Sequence, residues 1–237
     1  MLDGIERVLV VTAHPDDVDF GAAGTVATLT AAGIQVSYCI VTNGDAGGFD
    51  PAIPRPEIPR IRQAEQTAAA AIVGVTDLHF LGYKDGELTV SHELRRDISR
   101  VIRQIKPQLM IIQSPERNWA RIPASHPDHL AAGEAAIFAI YPDARNQFAH
   151  PSLFEEEDLE PWTVHQVWVM AGPNIDHYLD ITDQFDRKLA ALKAHESQTA
   201  HIDGFDDFIR GWATGTAKAA NFEEGRLAEG FMKVQIP

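Results

Sequence analysis

Two short segments carry most of the side chains able to do chemistry. Ala13-His14-Pro15-Asp16-Asp17 follows one apolar run, and Ser125-His126-Pro127-Asp128-His129 lies beyond another. His14 and Asp17 stand three residues apart, and so do His126 and His129. In the first turn of a helix that spacing puts both members on one face, where they can share a metal ion. Asp16 points elsewhere and would border the ion without ligating it. Two imidazoles plus one carboxylate suit catalytic zinc, with a position left open for water. Taken alone, the first segment fits a capping aspartate equally well. The two segments together favour one shared site.

The elements around these segments predict how they meet. Arg7–Ala13 is a near-continuous apolar run of buried-strand length. Ala22–Ala32 reads as an alanine-rich helix closed by Gly33, and Val36–Thr42 as a second strand. Ile61, Ala64, Ala68, Ala71, Ile72 and Val75 share a helical face ending near Gly74. Leu78–Leu81 is a short strand. Leu94, Ile98, Val101, Ile102 and Ile105 form another stripe, stopped before Pro107. Leu109–Gln113 is the fourth strand, and a helix over Ser125–Ile140 follows, opened by a capping-box variant, Ser125-x-x-Asp128.

Strands alternating with helices predict an α/β, Rossmann-like three-layer fold, with a mostly parallel sheet and helices on both faces. In such a sheet the loops after strands one and four flank the switch point, where ligands bind. Both His-Pro-Asp segments would then border one cleft.

The second half is less regular. Phe154–Glu160 reads as an acidic surface loop, Val164–Met170 and Tyr178–Ile181 as strands. Phe185, Leu189 and Leu192 start a helix running toward Gln198, and Phe205, Phe208, Ile209 and Trp212 suggest another. No linker or repeat divides the 237 residues, so residues 1–237 are expected to form a single domain.

Composition narrows the function. The net charge of −14, from 20 basic and 34 acidic side chains, disfavours nucleic acid and anionic membrane surfaces as partners. No apolar run approaches the roughly 18 residues of a transmembrane helix, so no membrane insertion is expected. The single cysteine, Cys39, excludes an internal disulfide and cysteine-rich zinc modules. A cytoplasmic protein is the simplest expectation. A non-catalytic nucleotide-binding module of the Rossmann type is the competing reading, but no G-x-G-x-x-G follows the first strand.

The chain resembles the LmbE/PIG-L family of zinc-dependent N-acetylglucosaminyl deacetylases. The likeness rests on Ala13–Asp17, the G-x-x-G-T of Gly21–Thr25, Arg62 and Glu65 of an R-x-x-E helix, and His126–His129. His195–Gln198 (H-x-S-Q) and Ala228–Phe231 (A-E-G-F) extend it over nearly the whole chain. The resemblance implies a Zn²⁺ hydrolase that removes an N-acetyl group from an amino sugar or a GlcNAc-type glycoside. An amidase for a larger acyl group, such as a thiol conjugate, is the runner-up.

By that resemblance His14, Asp17 and His129 match the zinc ligands, and Asp16 the general base for the attacking water. His126 matches the histidine that steadies the tetrahedral intermediate, expected as an imidazolium. Asp128 is expected to orient a histidine, and Arg62 to contact substrate. The family often has tyrosine where this chain has His195, which leaves polarisation of the carbonyl by His195 open. The partner implied is a small N-acyl amino sugar or glycoside, with the protein a homo-oligomer.

The segment Asn43–Pro59 is expected to be a long loop forming the substrate rim. Gly44, Gly47 and Gly48 let it move, while Pro51, Pro54, Pro56 and Pro59 stiffen its far half. Phe49 and Asp50 are its expected specificity residues. Asp45, Arg55, Arg60, Arg145 and Trp119 are weaker candidates for substrate contact. His79, His92, His150, His165, His177 and His201 have no second ligand at metal spacing and read as surface or core residues.

Overall fold

The first strand, β1 (Arg7–Thr12), is apolar from Val8 to Val11 because both of its faces are covered. Val8 and Val10 enter one core, Leu9 and Val11 the other, as the two-residue period of a strand requires. The computed structural model describes residues 4–237. The remaining strands are β2 (Gln35–Thr42), β3 (Asp77–Tyr83), β4 (Leu109–Gln113), β5 (Gln166–Met170), β6 (His177–Asp180) and β7 (Ala228–Gln235). Together the described strands form one sheet in the order β3-β2-β1-β4-β5-β7-β6. The first five run parallel, and β7 runs antiparallel between β5 and β6. The reversal of order at β1/β4 creates the crevice at the carboxyl edge.

Eight α-helices cover the sheet among the described residues: α1 (Asp17–Ala31), α2 (Ile58–Ile72), α3 (His92–Ile105), α4 (Pro127–Phe138), α5 (Pro151–Glu155), α6 (Phe185–Lys193), α7 (Glu196–Thr199) and α8 (Phe205–Ala219). Side chains of α1, α2, α6 and α8 fill one core, and those of α3 and α4 the other. The α/β three-layer expectation is met. Local signals explain the clean cases. Helix α3 starts at Ser91, whose hydroxyl accepts the Leu94 amide at 3.1 Å, and stops at Lys106 in a left-handed conformation before Pro107.

Several boundaries differ from the sequence reading. Helix α1 begins at Asp17 rather than Ala22. The segment 194–195 breaks the helix expected to run from Phe185 toward Gln198 into α6 and α7. The acidic run over Phe154–Glu160 is partly helical, since α5 ends at Glu155. Strand β7 was not foreseen, because Glu229, Gly230 and Lys233 interrupt its apolar pattern.

Glu229 is buried there with a counter-charge. Its carboxylate takes Lys188 at 2.6 Å and the Gly24 and Thr25 amides at 3.0 and 2.7 Å. Lys188 also donates to the Asp19 and Phe20 carbonyls, at 2.9 and 2.7 Å. A buried ion pair therefore supplies hydrogen bonds in the middle of α1, tying the G-x-x-G-T segment to the A-E-G-F strand.

Candidate active site and metal centre

The ends of β1, β3 and β4 deliver polar side chains to the crevice. Gln113, at the end of β4, accepts the Ala13 amide at 2.8 Å, which locks the two strand ends together. Beyond Ala13 the chain turns sharply. His14 precedes α1 and Asp17 is its first residue, so their meeting depends on a turn rather than on a shared helical face. The turn residue is Asp16, at φ 89° and ψ −27°. A non-glycine residue held there costs roughly 1–3 kcal/mol and persists only where its surroundings enforce it.

Three ligand-type side chains converge at this turn. His14 Nδ1 lies 3.2 Å from His129 Nε2 and 3.3 Å from Asp17 Oδ2. His129 Nε2 lies 3.0 Å from Asp17 Oδ1. Tetrahedral ligands about 2.0–2.2 Å from an ion stand roughly 3.3–3.6 Å from one another. The two imidazole nitrogens are thus nearly spaced for one divalent cation, and Asp17 sets one oxygen beside each of them.

The other nitrogen of His14 faces a second pair of carboxylates. Nε2 lies 3.1 Å from Asp128 Oδ2 and 3.0 Å from Asp85 Oδ1. His14, Asp85 and Asp128 are thus a second cluster spaced for a metal, next to the cluster of His14, His126 and His129. Their surroundings differ. Asp128 is fully buried and its oxygens already accept the Gly86 and Leu88 amides, at 2.7 and 3.2 Å. With an ion bound, those carboxylates would keep the His14 proton on Nε2 and leave the Nδ1 lone pair for the ion, on the side of Asp17 and His129. The Nδ1 side is the one that suits an ion with an open position.

The charges agree. Burial disfavours an imidazolium at His14, yet Asp17, Asp128 and Asp85 outweigh it and raise its pKa to about 12. Burial likewise opposes His129 and is overcome by Asp17. Burial raises Asp17, but His129 and His14 hold it well below the usual carboxylate range. The cluster attracts positive charge, as a cation site must.

Asp16 stands beside this cluster in a different balance. Burial pushes its carboxyl up to about 6, against the pull of the Arg62 guanidinium. Arg62 Nη2 donates to the Pro15 carbonyl at 2.6 Å and reaches Asp16 Oδ2 at 3.2 Å. Its Nη1 donates to the Gly44 carbonyl at 3.2 Å and lies 3.8 Å from Asp85 Oδ2. Expected to contact substrate, Arg62 does line the cleft, but at 4% exposure most of it braces the turn and the loop. Gly44, at φ +66°, allows this approach, since a Cβ there would meet Arg62 Nη1 at 2.7 Å.

His126 caps α4. Its Nδ1 accepts the Asp128 amide at 3.2 Å, which replaces the expected Ser125 capping box. Ser125 instead belongs to the preceding turn and accepts the Asn118 amide at 2.7 Å. With Nδ1 accepting, the ring is neutral and carries its proton on Nε2. Burial and the facing His14 and His129 rings lower its pKa, which favours a neutral ring donating from Nε2 at a helix N-terminus.

His14, Asp16, Ala46, Gly47, Arg62, Asp85, Gly86, Pro123, His126 and His129 line one open cleft of about 340 Å³. Of the Asn43–Pro59 segment, only its early part reaches this cleft, through Ala46 and Gly47. Phe49, Asp50 and Pro51 line an adjoining hollow against α7, where Phe49 packs on His201 at 4.1 Å between ring centroids. The segment is also shorter than read, because Arg55–Glu57 forms a helical turn and α2 starts at Ile58.

Other candidates lie elsewhere. Arg145 stacks on Tyr141 and donates to the Pro237 carbonyl, away from the cleft. Trp119 is 78% exposed beside Arg117. Asp45 joins Arg55 to the Asp85 amide, at 2.8 and 3.1 Å. His195 is fully buried on Asp19, out of reach of a substrate carbonyl.

Sequence reasoning missed Asp85, Asp19 and Gln66. Asp85 follows β3 in Lys84-Asp85-Gly86, an Asp-Gly turn at the carboxyl edge of the sheet. Its position after a strand, beside the first strand's neighbour, was the available signal.

Fold and site together define a class: a Rossmann-like α/β protein with a metal-capable His/Asp cluster and a separate carboxylate at the switch point of its sheet. The chain belongs to the PIG-L family, whose model, described as GlcNAc-PI de-N-acetylase, matches residues 9–140. It is 33% identical to the diacetylchitobiose deacetylase of Thermococcus kodakarensis over 82% of this chain and 70% of that protein. It is 31% identical to the "Probable N-acetyl-alpha-D-glucosaminyl L-malate deacetylase 2" of Bacillus anthracis over 82% of each. Its structure matches N,N'-diacetylchitobiose deacetylase from Pyrococcus horikoshii with a TM-score of 0.89 at 27% identity, covering 99% of this chain and 85% of that one. The chain is an amide hydrolase of the deacetylase type.

Proposed function

We propose that the protein is a zinc-dependent hydrolase removing the N-acetyl group from an amino sugar or a GlcNAc-type glycoside, working as one catalytic domain. The observation that carries the reading is the convergence of His14 Nδ1, Asp17 and His129 Nε2 at 3.0–3.3 Å beside the raised carboxyl of Asp16. The relatives named above, all acting by their names on N-acetylated amino sugars, support the substrate class. Two imidazoles and a carboxylate favour zinc, which these residues would hold. The lone, buried Cys39 fits a reducing, cytoplasmic setting.

When bound, the cation supplies Lewis acidity at the acyl carbonyl and the attacking water. Asp16 accepts a proton from that water as its oxygen bonds to the carbonyl carbon. Burial raises the Asp16 carboxyl above an ordinary aspartate, which favours its taking the proton. His126 faces the cleft and donates from Nε2 to the developing oxyanion as a neutral ring. Asp16 then delivers its proton to the amine nitrogen, the C–N bond breaks, and acetate and a free amine leave. Asp128 and Asp85 hold His14 in the orientation the ion needs.

The test is an amine-release assay with defined metal content, run across N-acetylated amino sugars and their glycosides. Turnover that needs the metal and follows the N-acetyl sugars supports the reading; metal-independent turnover, or none on any N-acetyl sugar, sinks it. Two variants refine it. His126→Ala should lower kcat and kcat/KM together by about 10²–10³-fold with KM little changed, because its hydrogen bond strengthens as charge develops. A raised KM at constant kcat would make it a binding residue. Asp128→Asn should weaken zinc affinity about 10–100-fold, measured by competition with a chelator, since it supports a ligand rather than serving as one.

A further inference from the structure

Asp16 is held in its left-handed turn by more than Arg62. Its backbone amide donates to Gln66 Oε1 at 2.8 Å. Gln66 Nε2 in turn donates to Asp19 Oδ2 at 2.9 Å. His195 Nε2 lies 2.8 Å from the same Asp19 oxygen. Gln66, Asp19 and His195 are all fully buried, and they come from α2, α1 and the α6–α7 junction.

The direction of this chain is fixed from one end. A backbone amide can only donate, so Gln66 must present its oxygen to Asp16. Its amide nitrogen must then face Asp19, which must accept. Asp19 accepting forces His195 to donate from Nε2. The Gln66 amide cannot be flipped without breaking both of its bonds, to Asp16 and to Asp19.

We propose that Gln66, Asp19 and His195 are positioning residues for the general base, acting through the Asp16 main chain. The proposal rests on the assignment of Asp16 as that base. Without the Gln66 acceptor, the peptide before Asp16 keeps Arg62 on its carbonyl but loses the partner of its amide, which loosens the left-handed conformation and lets the carboxyl shift away from the cluster of His14, Asp17 and His129. The ligand side chains are untouched. His195 therefore contributes to turnover at a distance, from a position where it meets no substrate.

This assigns different signatures to different losses. In zinc-loaded protein, Gln66→Met should lower kcat about 10–100-fold with KM within about twofold, the cost of misplacing a reacting group by about 1 Å. Zinc content should stay at one ion per chain. Amide hydrogen exchange, read by NMR, should show Asp16 protected in the parent and unprotected in the variant. In an Asp16→Asn background the same change should have no further effect on kcat, since both act through one group. If Gln66→Met does not fold, His195→Phe and His195→Gln give the same reading from the far end, with the glutamine variant keeping a donor and the higher kcat. Undiminished kcat in Gln66→Met, unchanged protection of the Asp16 amide, or an equal loss in the Asp16→Asn background each overturns the proposal. Full activity in Asp16→Asn together with lost amide protection in Gln66→Met sinks the base assignment alone.

Discussion

Asp16→Asn is expected to keep its zinc and to lose about 10²–10⁴-fold in kcat. The two halves of that expectation have separate grounds. Retention of the ion follows from geometry, because the converging atoms belong to His14, Asp17 and His129 and not to Asp16. Loss of turnover follows from proton bookkeeping. The water must give up a proton as it attacks, and the amine must gain one as it leaves. An asparagine amide accepts a hydrogen bond but takes no proton. The isosteric change also leaves the Arg62 contact an oxygen to bind, so the turn should survive. Metal analysis after dialysis and single-turnover rates on one N-acetylated sugar check both halves. A variant that loses its zinc and regains activity when zinc is added back would instead make Asp16 a ligand.

The reaction centre was legible because its residues are chemically unusual for their places. His14 and Asp17 sit at the end of an apolar strand, and His126 and His129 open an alanine-rich helix, where hydrophobic periodicity demands neither. The geometry of their meeting was less legible. A spacing of three suggested a helical face at His14, but the structure uses a left-handed turn at Asp16. Nothing in an aspartate announces a positive φ, which is enforced by Arg62 and Gln66 from a helix some 50 residues away.

The parallel half of the fold could be read from alternation alone. Strand β7 could not, since its charge at Glu229 makes sense only once Lys188 is beside it. The same applies to Asp85 and Asp128, whose partner is the far nitrogen of His14. Long-range pairing converts residues that look like surface into interior ones, and a single sequence does not reveal the partner. The motif around His195 left its role open, and the chain buries that ring on Asp19. Ser197 and Gln198 of the same motif bond Glu65 and the Gly47 carbonyl, which fastens α7 to α2 and to the loop at the cleft.

The largest effect is expected from Asp17→Ala and His129→Ala: loss of the bound ion and with it at least about 10³-fold in activity, since Lewis acidity is worth several kcal/mol of barrier. The structure poses this as a choice between the two nitrogens of His14. Nδ1 faces Asp17 and His129, while Nε2 faces Asp85 and Asp128. An ion on the Nε2 side would have to share Asp128 Oδ2 with the Gly86 amide, which that oxygen already accepts at 2.7 Å, and would take the carboxylates that orient His14. On the Nδ1 side it replaces only the close approach of His14, Asp17 and His129 to one another, and the cleft supplies room for water and substrate. Both variants should therefore emerge from dialysis without zinc, and Asp85→Asn and Asp128→Asn should keep it at reduced affinity. Added zinc should restore little activity to Asp17→Ala, because two imidazoles alone do not complete the site. The opposite pattern, with zinc held by Asp17→Ala and lost from Asp128→Asn, would move the ion to the far side of His14 and remove Asp17 from the ligand set.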